Sequence, residues 1–202
     1  MIVGAIIFIS LLVIGSILLL AWPKLKIVFE KKHYKKSMNH LVYSISRDSD
    51  FYLLNKIHIP IEGGKVVHID HIIFSDKFIY CIGDAYYDGP LSGKYLDQSW
   101  FKYDKFIHFE HVKNPLNLHH TRVRYLISET GAPEDLFVGI IVVPDSCFLD
   151  KIQGTPKSEF ICRQSELKNI IIKKEKEQIA QIDPIQLNSL VHNIYDNFVK
   201  DN

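Results

Sequence analysis

The side chains in this chain that could do chemistry gather between Val66 and His120. Asp70, in the run VVHIDHIIF, is a carboxylate on an extended segment, the kind of hard oxygen ligand that Mg²⁺ takes. One carboxylate alone makes a weak site, because the ion asks for near-octahedral oxygen ligation, usually from one or two carboxylates plus substrate phosphate. Hydrolysis would also need a group to orient or deprotonate water and a cation beside the phosphate. His68 shares a strand face with Asp70, and His119 and His120 follow on a later helix, so a His/Asp metal set can be drawn. Histidines without a local motif such as HExxH are more often packed or solvent-facing. Cys81 sits in the strand-like run IYCI, where burial raises a thiol pKa and hides the nucleophile. Tyr86 and Tyr87, with Lys94 and Trp100, offer a base-stacking surface, although aromatics at a strand end are more often core or rim packing.

The elements that must position these residues follow from periodicity. Val67, Ile69, His71 and Ile73 alternate with Val66, His68, Asp70 and Ile72, so both faces of the strand are mostly apolar. A turn at Ser75–Lys77 sends Phe78–Ile82 back as the second arm of a hairpin. An amphipathic helix is expected at about 32–45, and strands near 52–60, 65–74, 78–85 and 104–110. Asn114 can cap a helix whose first turn holds Pro115, placing Arg122, Tyr125 and Glu129 outward and Val123, Leu126 and Ile127 toward the core. LFVGIIVV, from Leu136 to Val143, reads as a central buried strand. Short extended pieces at 146–149 and 159–162, then helices at about 164–175 and 183–199, close a mixed α/β (α+β) chain. Neither an internal repeat nor a glycine-rich phosphate loop is present.

The order of LNKIHIP (Leu54 to Pro60), HID (His68 to Asp70), an apolar hairpin, Gly89 and Gly93, Trp100, and Asn114-Pro115 opening a helix resembles the NERD domain, the nuclease-related domain. The resemblance covers roughly residues 33–199. It implies a restriction-endonuclease-like mixed sheet flanked by helices, similar to PD-(D/E)xK nucleases. In those enzymes an acidic residue on the first hairpin strand and a Glu-x-Lys on the second hold Mg²⁺ and activate water. Asp70 stands at the first of these positions, but Gly83 and Ala85 stand where the Glu and Lys would be. Lys35 matches the family's helix glutamate, and Leu118 the glutamine that follows Asn-Pro. Asp84, the one charge nearby, should project away from the side shared by Gly83 and Ala85. The resemblance therefore implies a remnant Asp70, no cofactor, and Mg²⁺ only if activity survives. Lys94, Trp100, Asn114 and Arg122 are left as candidates for contact with nucleic acid or a protein partner.

Ile2 to Trp22 carries no charge and, at about 1.5 Å per residue, spans roughly 30 Å, the thickness of a bilayer's hydrocarbon core. The run lacks the basic start, short apolar core and small-residue cleavage site of a signal peptide. It is expected to be a membrane anchor over 1–23, ended by Pro23 with Trp22 at the interface, followed by a basic segment at 24–32 and a domain at 33–202. Lys24, Lys26, Lys31, Lys32, Lys35 and Lys36 all follow the span, which puts the domain in the cytoplasm as a single-pass protein.

The net charge of +1 argues against a free DNA-binding protein, whose footprint would be strongly basic. The three cysteines, Cys81, Cys147 and Cys162, lie in apolar runs as buried thiols. Three functions fit these features. The first is a non-catalytic, membrane-tethered nuclease-like module that binds nucleic acid or protein; the others are a metal-dependent nuclease with relocated groups and a structural subunit of a membrane assembly.

Overall fold

The computed structural model describes residues 2–61, 63–103, 108–150, 152 and 155–199, with side chains from Leu19 onward. Helix α1 (Ile2–Ser49) runs through Pro23, where the sequence reading ends it. A proline removes one backbone hydrogen bond and crowds the preceding turn, but the ladder on either side bridges that single gap. The amphipathic stretch expected at 32–45 is the later part of this helix, with Met38, Val42 and Ile45 buried. Two compact units divide the chain, Met1–Ser37 and Met38–Asn202. Among the described residues no helix is long and apolar enough to cross a membrane, and the side chains of residues 2–18, most of the expected span, lie outside the described ones.

β1 (Tyr52–Ile61), β2 (Lys65–Phe74) and β3 (Ile79–Asp84) form an antiparallel meander. A small antiparallel sheet follows, of β4 (Leu91–Ser92), β5 (Ser99–Tyr103) and β6 (Phe109–Lys113). The single strand expected near 104–110 is thereby corrected to parts of a hairpin: Phe109 begins β6 opposite Tyr103, and residues 104–107 lie outside the described ones. Next come α2 (Pro115–Thr130), β7 (Phe137–Val143), β8 (Glu159–Arg163), α3 (Leu167–Glu175) and α4 (Pro184–Phe198). The larger sheet has the order β1-β2-β3-β7-β8, with β7 parallel to both β3 and β8. All seven residues of β7 are buried, as a strand covered on both faces requires. Asn114 and Asp183 each accept two backbone N–H bonds ahead of a proline, which fixes where α2 and α4 start.

On one face of the sheet Ile72, Phe74, Ile79 and Cys81 join Val123 and Leu126 of α2 and Leu187, Val191 and Ile194 of α4 in one apolar cluster. On the other, the Tyr80 hydroxyl donates to Glu175 of α3 at 2.5 Å, and an Asp48–Lys168 ion pair of 3.1 Å joins α3 to α1.

The alternation read along β2 breaks at Asp70. Ile69, with Ile57 and Ile59, enters the cluster of Ile72 and Phe74 instead of sharing a face with His71 and Ile73. The break lies between the pairs Asn55↔His71 and Ile57↔Ile69, where Lys56 has a left-handed φ of 57°. A non-glycine residue held there costs on the order of 1–3 kcal/mol.

Candidate functional site

The chemistry-bearing residues meet at the C-terminal end of β3. Beyond the His71↔Ile82 pair the β2–β3 ladder stops, and Asp70 Oδ2 accepts the Asp84 N–H at 3.0 Å. One oxygen of the remnant carboxylate is thus spent on backbone. Asp84 itself points to the other face, as strand alternation demands, with Oδ2 3.2 Å from His71 Nε2. His71 Nδ1 is in turn 2.6 Å from Asn55 Oδ1. The His71 and Asp84 side chains are 3% and 5% exposed, and Asp84 Oδ1 is buried without a hydrogen-bond partner.

On the first face His119 of α2 fills the position that a side chain on Gly83 would take. A Cβ built on Gly83 would lie 2.8 Å from Ile141 Cδ1, 3.0 Å from His119 Nδ1 and 3.2 Å from His119 Cε1. One on Gly139 of β7 would lie 3.4 Å from His119 Cδ2. The imidazole therefore rests on two bare stretches of backbone, pinned by a 2.8 Å hydrogen bond from Nε2 to the Cys81 carbonyl. Burial pushes the His119 pKa down to about 4, against the opposing pull of the Cys81 carbonyl and Asp70. The neutral ring donates from Nε2, which leaves Nδ1 as a buried lone pair with no hydrogen-bond partner. Ala85 packs against the neighbouring cluster of Leu91, Trp100, Leu116 and Ile141.

Beside His119, Glu159 Oε1 accepts from the Tyr95 hydroxyl at 2.9 Å and lies 2.5 Å from His120 Nδ1. Burial and this carboxylate push the Tyr95 pKa up to about 12. Neither Glu159 nor the Asn55–His71 link was found by reading the sequence, since the first lies on the edge strand β8 and the second depends on the β1–β2 register that sets Asn55 opposite His71.

The residues present do not fit a Mg²⁺ centre. Asp70 has an oxygen committed to Asp84, Gly83 supplies no ligand, and His119 fills the space above it. Among the described residues no group of three His, Cys, Asp or Glu side chains could hold a metal ion.

The expected contact residues scatter. Trp100 is fully buried, donating from Nε1 to the Lys94 carbonyl at 2.8 Å, so it belongs to the core and offers no ring to a ligand. Asn114, 1% exposed, caps α2 through Oδ1 and donates from Nδ2 to the Tyr95 and Asp97 carbonyls, which occupies its whole amide. Lys94 is exposed, and Arg122 is half-buried on α2 near enough to His119 to depress its pKa. Lys35 is exposed on α1, and Leu118 is exposed on α2. Cys81, Cys147 and Cys162 are buried free thiols, and desolvation raises the pKa of each.

Residues 27–144 match the family described as NERD, nuclease-related domain. The chain belongs to that family. In this nuclease-related domain the matched segment contains Asp70, Gly83, Ala85 and His119, whereas Glu159 lies beyond it. One solved crystal structure, of a protein of unknown function, is similar at a TM-score of 0.38 and 13% identity, over 82% of this chain and 79% of that one. No curated protein matches the chain.

Proposed function

We propose that this nuclease-related domain is a non-catalytic binding module with a restriction-endonuclease-like core, held at the cytoplasmic face of a membrane by its N-terminal helix and engaging nucleic acid or a protein partner. The observation that carries the reading is the closed position at Gly83. The family pattern puts a metal-binding carboxylate there, and here His119 and Ile141 leave no room for a β-carbon without displacement. Membrane attachment is supported by the uncharged run from Ile2 to Trp22 and the lysines after it.

The full chain in nonionic detergent, incubated with plasmid and single-stranded DNA and Mg²⁺ or Mn²⁺, should cut neither, and nor should Asp70→Ala. Wild-type cleavage that disappears in Asp70→Ala would overturn the non-catalytic reading. A C-terminal reporter should be active in the cytoplasm; activity only outside it would reject the orientation.

A further inference from the structure

We infer that the part of α1 from Lys24 to Lys36 is a docking surface for the headgroups of anionic phospholipids. This rests on the membrane attachment proposed above. Residues 24–36 hold six lysines and a single acid, Glu30, whose carboxylate lies 3.7 Å from the Lys26 ammonium. α1 is continuous through this stretch, so residues at i, i+4, i+7 and i+11 stack along one side. Leu25, Phe29, Lys32 and Lys36 form one such row, and Lys24, Val28, Lys31 and Lys35 form the row beside it. That side carries five of the six lysines together with apolar groups that the chain itself leaves uncovered: Leu25 is 40% exposed, Val28 62% and Phe29 66%. Membrane topology asks only for the lysines, and the apolar groups set among them need a further reason.

The order along the helix selects the occupant. Trp22 ends the uncharged run; at about 1.5 Å per residue, Leu25, Val28 and Phe29 come within about 10 Å of it, and Lys31, Lys32, Lys35 and Lys36 follow at about 14–21 Å. With Ile2–Trp22 in the bilayer, the surroundings change in the same order. Hydrocarbon gives way to a headgroup layer roughly 5–7 Å thick on each side, and then to a negative surface potential that reaches about one Debye length, 8 Å, into water. Side chains on a helix lean toward its N-terminus, here toward the bilayer, so four-carbon stems bring the later ammonium groups into that range. A nucleic-acid arm gains nothing from exposed Leu, Val and Phe among its lysines. A protein partner would have to displace lipid from a helix that the same unbroken run holds in the membrane.

Trp22 fluorescence tests this in the full chain reconstituted into mixed phosphatidylcholine and phosphatidylglycerol vesicles, one lipid and then the other carrying bromine on its acyl chains to quench the indole. Trp100, fully buried in the core, supplies a constant background. At equal mole fraction phosphatidylglycerol should occupy the surroundings of Trp22 about fivefold more effectively than phosphatidylcholine, the effect of about one lysine near the surface. The preference should vanish in about 1 M salt, where the Debye length falls to about 3 Å. It should also vanish when Lys31, Lys32, Lys35 and Lys36, all exposed, are together changed to Gln. Equal quenching by the two lipids in the wild type, or a preference that the glutamine variant keeps, would overturn the assignment. A variant that keeps it while losing affinity for an oligonucleotide would give the lysines to nucleic acid instead. Quenching by neither lipid, with the chain left behind when the vesicles float, would overturn the membrane attachment and this surface with it.

Discussion

Gly83→Ala adds one methyl group where His119 lies on the sheet. Its carbon would sit 2.8 Å from Ile141 Cδ1 and 3.0 Å from His119 Nδ1. Ile141 can turn the end of its side chain, but the imidazole is pinned at 2.8 Å to the Cys81 carbonyl and cannot retreat without loosening that buried bond. Overpacking of this kind costs about 1–3 kcal/mol, and a lost buried hydrogen bond a similar amount. Relief of glycine's backbone entropy returns about 0.5–1 kcal/mol. The net expectation is a loss of about 1–3 kcal/mol, or several degrees in Tm for a chain of this size. Thermal melting of the full chain by near-UV circular dichroism measures it. In a His119→Ala background the same methyl group should cost at least about 1 kcal/mol less, because the ring it strikes is gone. A neutral or stabilising Gly83→Ala, or an equal cost in both backgrounds, would refute the claim that His119 closes the position. The same geometry predicts that Gly83→Glu with Ala85→Lys cannot restore a centre unless His119 is also made small.

Acid should destabilise the domain through His119. Its folded-state pKa of about 4 lies below the ordinary 6.5, so the unfolded chain takes up the proton first, and stability present above pH 6.5 is lost as pH falls toward 4. The interval is worth about 3 kcal/mol, and His119→Gln should flatten the pH dependence of urea unfolding by that amount; an unchanged profile would contradict the burial of a neutral ring. Ile140→Asp should unfold the domain, since Ile140 is fully buried in β7 and an unpaired carboxylate costs several kcal/mol of the roughly 5–15 available; an unaltered Tm would contradict this. Gly93→Ala should also destabilise by about 1–3 kcal/mol, its β-carbon falling against the buried Trp100 indole, and a wild-type melting curve would show that the indole is free to move.

Much of the scaffold was legible because it is written in local pattern. The β2–β3 hairpin, the buried run Phe137–Val143 and the two Asn/Asp-Pro helix starts each follow from periodicity or capping within a few residues. Asp84 pointing away from Gly83 followed from alternation alone. That same rule misplaced Ile69, because a left-handed Lys56 shifts the hairpin's faces and nothing in a lysine announces it. Pro23 was read as a stop, and the helix passes through it. Trp100 was open in the sequence between a stacking ring and core packing, because its strand is too short to show its phase, and the structure buries it. His119 over Gly83, and Glu159 beside His120, join residues far apart in sequence, so no local spacing could reveal them.

Isothermal titration of Mg²⁺, and separately Mn²⁺, into the full chain addresses the closed centre most directly. With Gly83 covered by His119 and one Asp70 oxygen held by the Asp84 N–H, neither ion should give saturable heat, and Asp70→Ala should behave like the wild type. Saturable binding at micromolar concentrations that is lost in Asp70→Ala would mean that other ligands converge on Asp70 and that the centre is open.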